Sequence, residues 1–290
     1  MILKLSLIHK MFQPMTLEAN SQLQSDHIGF HDSSYRQRRN EIVTLSETYN
    51  DKLRNYPIIQ YLPSEIETWR TVFTRLDQLY PSTACVSYLN GLEMLKKNEI
   101  FVLDDIPRLK DVSDFLEINT GFRLYPVSGL LSPKQFLQGL ASKIFYCTQY
   151  IRHPSKPFYT PEPDIIHEML GHVPMFLDEN ICEISEMIGR TAMKCSENKI
   201  KELEKIYWFT IEFGLLHMDS KEYKIYGAGI LSSVEEIERI RDGKTTIHPF
   251  DVKKIVGDQP LITELQMNYY SIDSISDLKN IIQKYLIEYL

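Results

Sequence analysis

The sequence predicts a mainly α fold with a minor β-sheet, built as a single helical domain. Three observations predict it: helix-start signals follow one another closely after about residue 32, one segment alternates clearly enough to be a strand, and no repeat or low-complexity tract interrupts the chain. With 290 residues, 43% of them hydrophobic, the chain is long enough for one sizeable core. Residues 1–32 are mixed and polar without sustained periodicity and read as a disordered or surface arm, leaving residues 33–290 as the domain. The opening MILKLSLIHKMF is broken by Lys4, closed by His9 and Lys10, and lacks a small-residue cleavage site, so it reads as a disordered lead-in, with a start at Met11 or Met15 or a secretory signal as the lesser alternatives.

The elements follow in order. Ser64, with Glu67 three residues on, makes a capping box for a helix carrying Ile66, Trp69, Val72, Phe73, Leu76 and Leu79 on one face, and Pro81 is expected to end it. Ser132, Pro133 and Gln135 repeat the start signal and launch one buried helix through PKQFLQGLASKIFYCTQYIRH. A Pro-rich joint, HPSKPFYTPEPD, is expected to be a rigid, mostly extended loop leading to IIHEMLGHVP. A further helix from about Asn198 carries KELEKIYWFTIEFGLL, YGAGILSS reads as a turn, LITELQMNYY is the best strand candidate, and SISDLKNIIQKYLIEYL closes the chain as an amphipathic helix.

Composition excludes several functions. Lys and Arg total 32 against 39 Asp and Glu, a net charge of -7 with a pI near 5.7, which is the wrong sign for a nucleic-acid partner. No window approaches the ~18 apolar residues that span a bilayer. Cys85, Cys147, Cys182 and Cys195 match neither a zinc ribbon nor a redox pair and read as buried, reduced thiols of a cytoplasmic protein.

The sharpest chemical feature is His167-Glu168-Met169-Leu170-Gly171-His172. Zinc proteases place two histidines four apart, on one helix face, with the intervening Glu as base. Here the position four after His167 is Gly171, and a five-residue offset puts His172 roughly 140° away on an ideal helix. Both can reach one ion only if the helix ends or unwinds between them, and Gly171 and Pro174 offer that break.

Glu212 is the only charged residue in IYWFTIEFGLL, with Trp208, Phe209, Leu215 and Leu216 as its helical neighbours. A carboxylate buried among such residues must be protonated, paired or bound to a cation. Two histidines and one carboxylate on one side of an ion, with the other positions open, is the arrangement of iron(II) oxygenases. Zinc on the same three ligands, with Glu168 as a hydrolytic base, is the rival. A non-catalytic metal-binding protein, offering Leu278, Ile281, Ile282, Tyr285 and Leu286 of the closing helix to a partner, is the second.

TPEPDIIHEMLGHVP, YWFTIEFGL, YGAGILSS and CTQYIRH resemble the pterin-dependent aromatic amino acid hydroxylases, over about residue 35 to the end. The resemblance implies that His167, His172 and Glu212 hold Fe(II), that tetrahydrobiopterin supplies electrons, and that O2 and a free aromatic amino acid are the substrates. It implies that Arg152 binds the amino acid carboxylate, with Thr160 and Ser232 as companions and Pro163 and Trp208 flanking the ring. It further implies that Phe136 stacks on the pterin beside Gly129, Leu131 and Ser132, with Glu168 and Tyr207 near the same cavity.

Two departures from the family pattern sit close to the pocket. Tyr146 stands where animal phenylalanine hydroxylases usually have His, and one residue is inserted between Glu212 and the GAG turn. Trp208 is the residue type of the phenylalanine and tyrosine enzymes, whereas HPFDVKKIVGDQPLITELQ reads more like the tryptophan enzymes. The resemblance therefore places conversion of phenylalanine to tyrosine first, with tryptophan or broad specificity as the alternative. The family's animal members carry a regulatory domain and a tetramer-forming helix for which this chain has no room, so a monomer is expected, cytoplasmic by its thiols and with no nucleic-acid or membrane partner by its charge and hydropathy.

Overall fold

The computed structural model describes residues 27–218, 222–261 and 264–289, together with the single positions 23 and 25. The lead-in MILKLSLIHKMF lies outside the described residues. Where the arm was expected to continue, Ile28–Phe30 forms a short 3-10 turn.

Asp32 accepts the backbone N–H of Tyr35 and so caps α1 (Ser33–Ser46). The long helix α2 (Pro63–Thr83) starts two residues before the expected box: Pro63 takes the first position and the Glu65 carboxylate reaches back to the Leu62 N–H at 2.7 Å. Pro81 does not end it but lies in its last turn, beyond which the Ala84 N–H still reaches Tyr80 O. A proline that near the end costs one hydrogen bond and leaves the chain's direction intact. Next come α3 (Val86–Lys97) and α4 (Leu109–Thr120), the latter stopped by Gly121 in the left-handed conformation, φ 79°.

The helix expected from Ser132 to His153 is the main correction to the fold. Only α5 (Pro133–Leu140) forms, capped by Ser132, and after a turn the chain becomes the strand β2 (Ile144–Cys147), parallel to β1 (Arg123–Pro126). A short apolar run such as IFYC suits a buried strand as well as a buried helix, and periodicity alone does not separate the two. In consequence Arg152 lies in a loop after a strand, not at the end of a helix.

Residues His167–His172 follow as a π-helical turn, then α6 (Glu179–Ala192) and α7 (Glu197–Tyr207), and α7 runs into a second π-helical turn at Trp208–Glu212. Strands β3 (Gly214–His217) and β4 (Tyr223–Ile225), the short helix α8 (Ala228–Leu231) and α9 (Val234–Arg241) come next. The last elements are β5 (Thr246–Pro249), α10 (Val252–Gly257), β6 (Asn268–Ile272) and α11 (Ile275–Leu286). YGAGILSS is thus partly helical, and the expected strand is realised only in its last three residues and the two beyond.

The larger sheet has the order β4-β3-β6-β5, with β3 antiparallel to β4 and the other pairs parallel. One core runs through the molecule: Trp69, Phe73, Leu76 and Tyr88 from α2 and α3 share it with Ile166, just before the first π segment, Met169 and Leu170 within it, and Phe209 of the second. On α11, Leu278, Ile282 and Leu286 are fully buried, largely against α6, while Tyr285 is half-buried and Ile281 exposed, so most of the face that could have met a partner is spent inside the chain. Cys85, Cys147 and Cys182 are buried as expected, Cys195 is half-buried, and all four are unpaired.

Candidate metal centre and adjoining cavity

The five-residue spacing of the histidines is accommodated by widening the helix, not by ending it. The Val173 N–H bonds to Glu168 O, and in the second segment Phe213 N–H bonds to Trp208 O, both five residues back. A turn that closes on the fifth residue stacks His172 over His167. Such turns leave carbonyls without their usual partners, and here the Tyr88 hydroxyl donates to Leu170 O at 2.7 Å. Gly171 is required by close packing: a Cβ there would lie 2.6 Å from Ala228 O.

His167 Nε2 and His172 Nε2 lie 3.0 Å apart, with Glu212 Oε1 3.1 Å from His172 Nε2 and Glu212 Oε2 3.5 Å from His167 Nε2. Among the described residues these three are the only group of histidine, cysteine and acidic side chains whose ligand atoms converge, all within 4.8 Å. The environment of Glu212 is therefore two imidazoles, not only the apolar neighbours its sequence suggested. Ser232 Oγ donates to Ala228 O at 2.9 Å, so at 3.0 Å from His167 Nδ1 it acts as the acceptor of that N–H. This fixes the tautomer and leaves the His167 Nε2 lone pair pointing at the other ligands.

Burial pushes the His167 imidazole down to about 4, so it is neutral at pH 7. At His172 burial also acts downward, but the Glu212 carboxylate, by charge and hydrogen bond, outweighs it and the net shift is up. Glu212 is held below its usual range because its two histidines outweigh the effect of burial. Two facing imidazole nitrogens beside a carboxylate form a donor set that fits a divalent cation of the iron or zinc type.

A cavity of about 290 Å³ adjoins this centre. Thirteen of the fourteen residues expected at the site line it: His167, Glu168, His172, Glu212, Gly129, Leu131, Phe136, Tyr207, Arg152, Thr160, Pro163, Trp208 and Ser232. Ser132 does not; its hydroxyl instead caps α5 by accepting the Gln135 N–H at 3.3 Å. Phe145, Tyr159, Phe213, Glu236, Leu261 and Glu264 also line the cavity and were not expected there. Phe145 sits 4.6 Å from the His172 ring, a contact created by the strand β2 that periodicity missed.

Glu168 Oε1 accepts the Thr148 N–H at 3.0 Å and its hydroxyl at 2.9 Å, and burial pushes its carboxyl up to about 7. Arg152, 2% exposed, is held by Asp164: Nε and Nη2 donate to the two carboxylate oxygens at 2.9 and 2.8 Å. Its Nη1 reaches the carbonyls of Pro157 and Ser232, both at 3.2 Å, which leaves one Nη2 hydrogen uncommitted. Asp164 also accepts the His167 N–H at 3.0 Å, so a single carboxylate orients both the guanidinium and the start of the metal-binding turn. The neighbouring Glu162 is gripped by Arg39 of α1, whose guanidinium lies 3.6 Å from the Tyr150 ring centroid.

Phe136 meets Phe145 and Tyr207 edge-on at 5.8 and 5.3 Å, and the buried Tyr207 hydroxyl has no partner among the described residues. An open aromatic wall with an unmatched hydroxyl and a buried carboxylate fits a flat, polar heterocycle such as a pterin. Trp208 is fixed by its Nε1–H donating to Gln266 Oε1 at 3.2 Å and by Phe213 at 4.9 Å.

A helical domain with two histidines and a glutamate at the head of an aromatic cavity has the donor set of a mononuclear metal centre of the two-His, one-carboxylate class. The chain matches the family of biopterin-dependent aromatic amino acid hydroxylases over residues 5–289 and belongs to it. It is 42% identical to human phenylalanine-4-hydroxylase over 94% of this chain and 60% of the human protein. It is also 42% identical to tryptophan 5-hydroxylase of Xenopus laevis, over 89% of this chain and 53% of that protein. The chain thus spans less than two thirds of the length of these relatives. Phenylalanine hydroxylase of Chromobacterium violaceum, in a structure with bound iron(III) and 7,8-dihydrobiopterin, superposes with a TM-score of 0.73 at 31% identity, covering 80% of this chain and 84% of that one.

Proposed function

We propose that this protein is a phenylalanine-4-hydroxylase, converting L-phenylalanine to L-tyrosine with O2 and a tetrahydropterin. The observation that carries the reading is the convergence of His167, His172 and Glu212 on one point of a cavity that also presents an Asp164-oriented Arg152. Iron(II) held by those three side chains, with reduced pterin alongside, supplies oxygen activation.

The chain's own residues position the reactants. Arg152 holds the amino acid carboxylate, with Thr160 and Ser232 beside it, while Trp208 and Pro163 wall the ring. Phe136, Gly129, Leu131, Tyr207 and Glu168 form the pterin side. The apolar lining excludes water from the reacting ring. Trp208 narrows the substrate side and favours phenylalanine over the larger indole, a discrimination of ~1 to 3 kcal/mol when only apolar contacts differ. A monomer is part of the same reading, since the closing helix buries Leu278, Ile282 and Leu286 internally, and four unpaired thiols suit the cytoplasm.

The test is anaerobic loading with Fe(II), then addition of O2, tetrahydrobiopterin and an equimolar mixture of phenylalanine, tyrosine and tryptophan, with mass analysis of products. Gain of one oxygen on phenylalanine, dependent on iron and pterin, is expected. Preferential gain on tryptophan would replace the substrate assignment, and no hydroxylation with metal demonstrably bound would overturn the oxygenase reading in favour of a hydrolytic zinc site.

A further inference from the structure

Three tyrosines form an unbroken series of ring contacts that begins on the cavity wall and leads away from it. Tyr146 on β2 lines the cavity and meets Tyr125, its partner in register on β1, edge-on with centroids 5.5 Å apart. Tyr125 meets Tyr49, just beyond α1, edge-on at 4.7 Å, and Tyr56 buttresses Tyr49 at 4.8 Å. The Tyr49 hydroxyl donates to Asp51 Oδ1 at 3.1 Å. Asp51 is held bidentately by Arg123, and its side chain is 39% exposed.

Packing does not by itself require this composition. Phenylalanine offers almost the same ring surface, and a tyrosine hydroxyl inside a protein usually finds a partner. Tyr125 and Tyr146 are half-buried, and neither hydroxyl has a protein partner among the described residues. What phenols provide and phenylalanine does not is one-electron oxidation coupled to release of a proton, and Tyr49 alone in the series has a carboxylate placed to take that proton.

We propose that Tyr146, Tyr125 and Tyr49 conduct oxidising equivalents out of the cavity to the surface at Asp51, sparing the metal ligands and cavity aromatics when oxygen activation runs without an amino acid bound. This rests on the oxygen-activating reading of the site. A one-electron oxidant formed at the metal from O2 or peroxide would take one electron from Tyr146, whose phenolic proton passes to water and returns when Tyr125 refills it, and Tyr125, half-buried like Tyr146, is refilled in the same way from Tyr49. Tyr49 passes its phenolic proton to Asp51, leaving a neutral tyrosyl radical, a protonated carboxyl and an oxidant reduced by one electron. A soluble reductant of the ascorbate class then restores the electron, and Asp51 returns the proton.

The experiment mixes Fe(II)-loaded protein, without amino acid or pterin, with hydrogen peroxide. Freeze-quenched samples are read by electron paramagnetic resonance, and oxidised residues are mapped by peptide mass spectrometry. The wild type is expected to give a tyrosyl radical with an exchangeable hydrogen bond, assigned to Tyr49 by its loss in Tyr49→Phe. Tyr125→Phe is expected to abolish the Tyr49 signal and raise oxidation of His167, His172, Phe136 and Phe145 several-fold, with pterin-dependent hydroxylation retained because Tyr125 does not line the cavity. No tyrosyl radical in the wild type, or an unchanged signal and damage map in Tyr125→Phe, would overturn the proposal. Failure of amino acid hydroxylation in the same wild-type preparation would instead strike the assigned function, so the two can be told apart.

Discussion

Replacing Asp164 by Asn removes the charge that joins the substrate loop to the metal-binding turn while keeping the side chain's shape. The carboxylate accepts four hydrogen bonds, from Arg152 N, Nε and Nη2 and from His167 N, at 2.8 to 3.0 Å. In Asp164→Asn one acceptor oxygen becomes a donor, and the buried guanidinium keeps one amide oxygen and two carbonyls at 3.2 Å but loses its counter-charge. Removing one partner of a buried pair costs ~3 to 5 kcal/mol, a large share of the ~5 to 15 kcal/mol that holds a domain together. At ~2 to 4 °C per kcal/mol for larger domains, Tm is expected to fall by about 6 to 20 °C, read by calorimetry on metal-free protein. Burial acts to raise the Asp164 pKa, but Arg152 and the backbone donors outweigh it and hold the carboxyl below its ordinary 3.8. The folded state therefore binds this proton more weakly than the unfolded chain. The stability difference between wild type and variant should be full at neutral pH and close as pH falls through the lowered folded-state value. A variant melting within about 2 °C of wild type at pH 7 would refute the assignment of Asp164 as the charge on which this corner depends.

The other predictions concern single roles at the site. Arg152→Lys loses the planar fork and is expected to raise the KM for the amino acid by about 10- to 100-fold, the loss of one charge-assisted contact, with iron retained; steady-state kinetics and metal analysis check it. Glu212→Ala should lose bound iron and hydroxylation together, so full iron occupancy with turnover would remove Glu212 from the ligand set. Gly171→Ala drives a methyl group to 2.6 Å from Ala228 O and should spread the π turn, lowering iron affinity more than Tm, as titration with Fe(II) under anaerobic conditions would show.

Much of the site was legible because its chemistry conflicts with its surroundings. A lone acid in IYWFTIEFGLL and two histidines at an awkward spacing are costly choices that ordinary packing would not make. How the spacing is resolved was not legible, because a π turn depends on tertiary partners such as Tyr88 at Leu170 O and has no periodicity of its own. The strand β2 was misread for a related reason: its four residues are apolar on both faces, and only pairing with Arg123–Pro126 selects the extended form. Phe145 and Glu236 were missed as cavity residues because each reaches the cavity through an element whose type or neighbours the sequence left open. Ser132 shows the reverse error, a residue beside pocket residues in the chain whose hydroxyl is spent on a helix cap.

Both histidines and the glutamate stand on segments one residue longer per turn than a regular helix. Deleting one residue from the Trp208–Glu212 segment would let the ladder close on the fourth residue, giving a more regular helix and rotating Glu212 away from the imidazoles, whereas in His167–His172 it would give the four-residue spacing that keeps both histidines on one helix face. At Trp208–Glu212 a regular helix and the full triad exclude each other, and three bases of coding sequence decide between them.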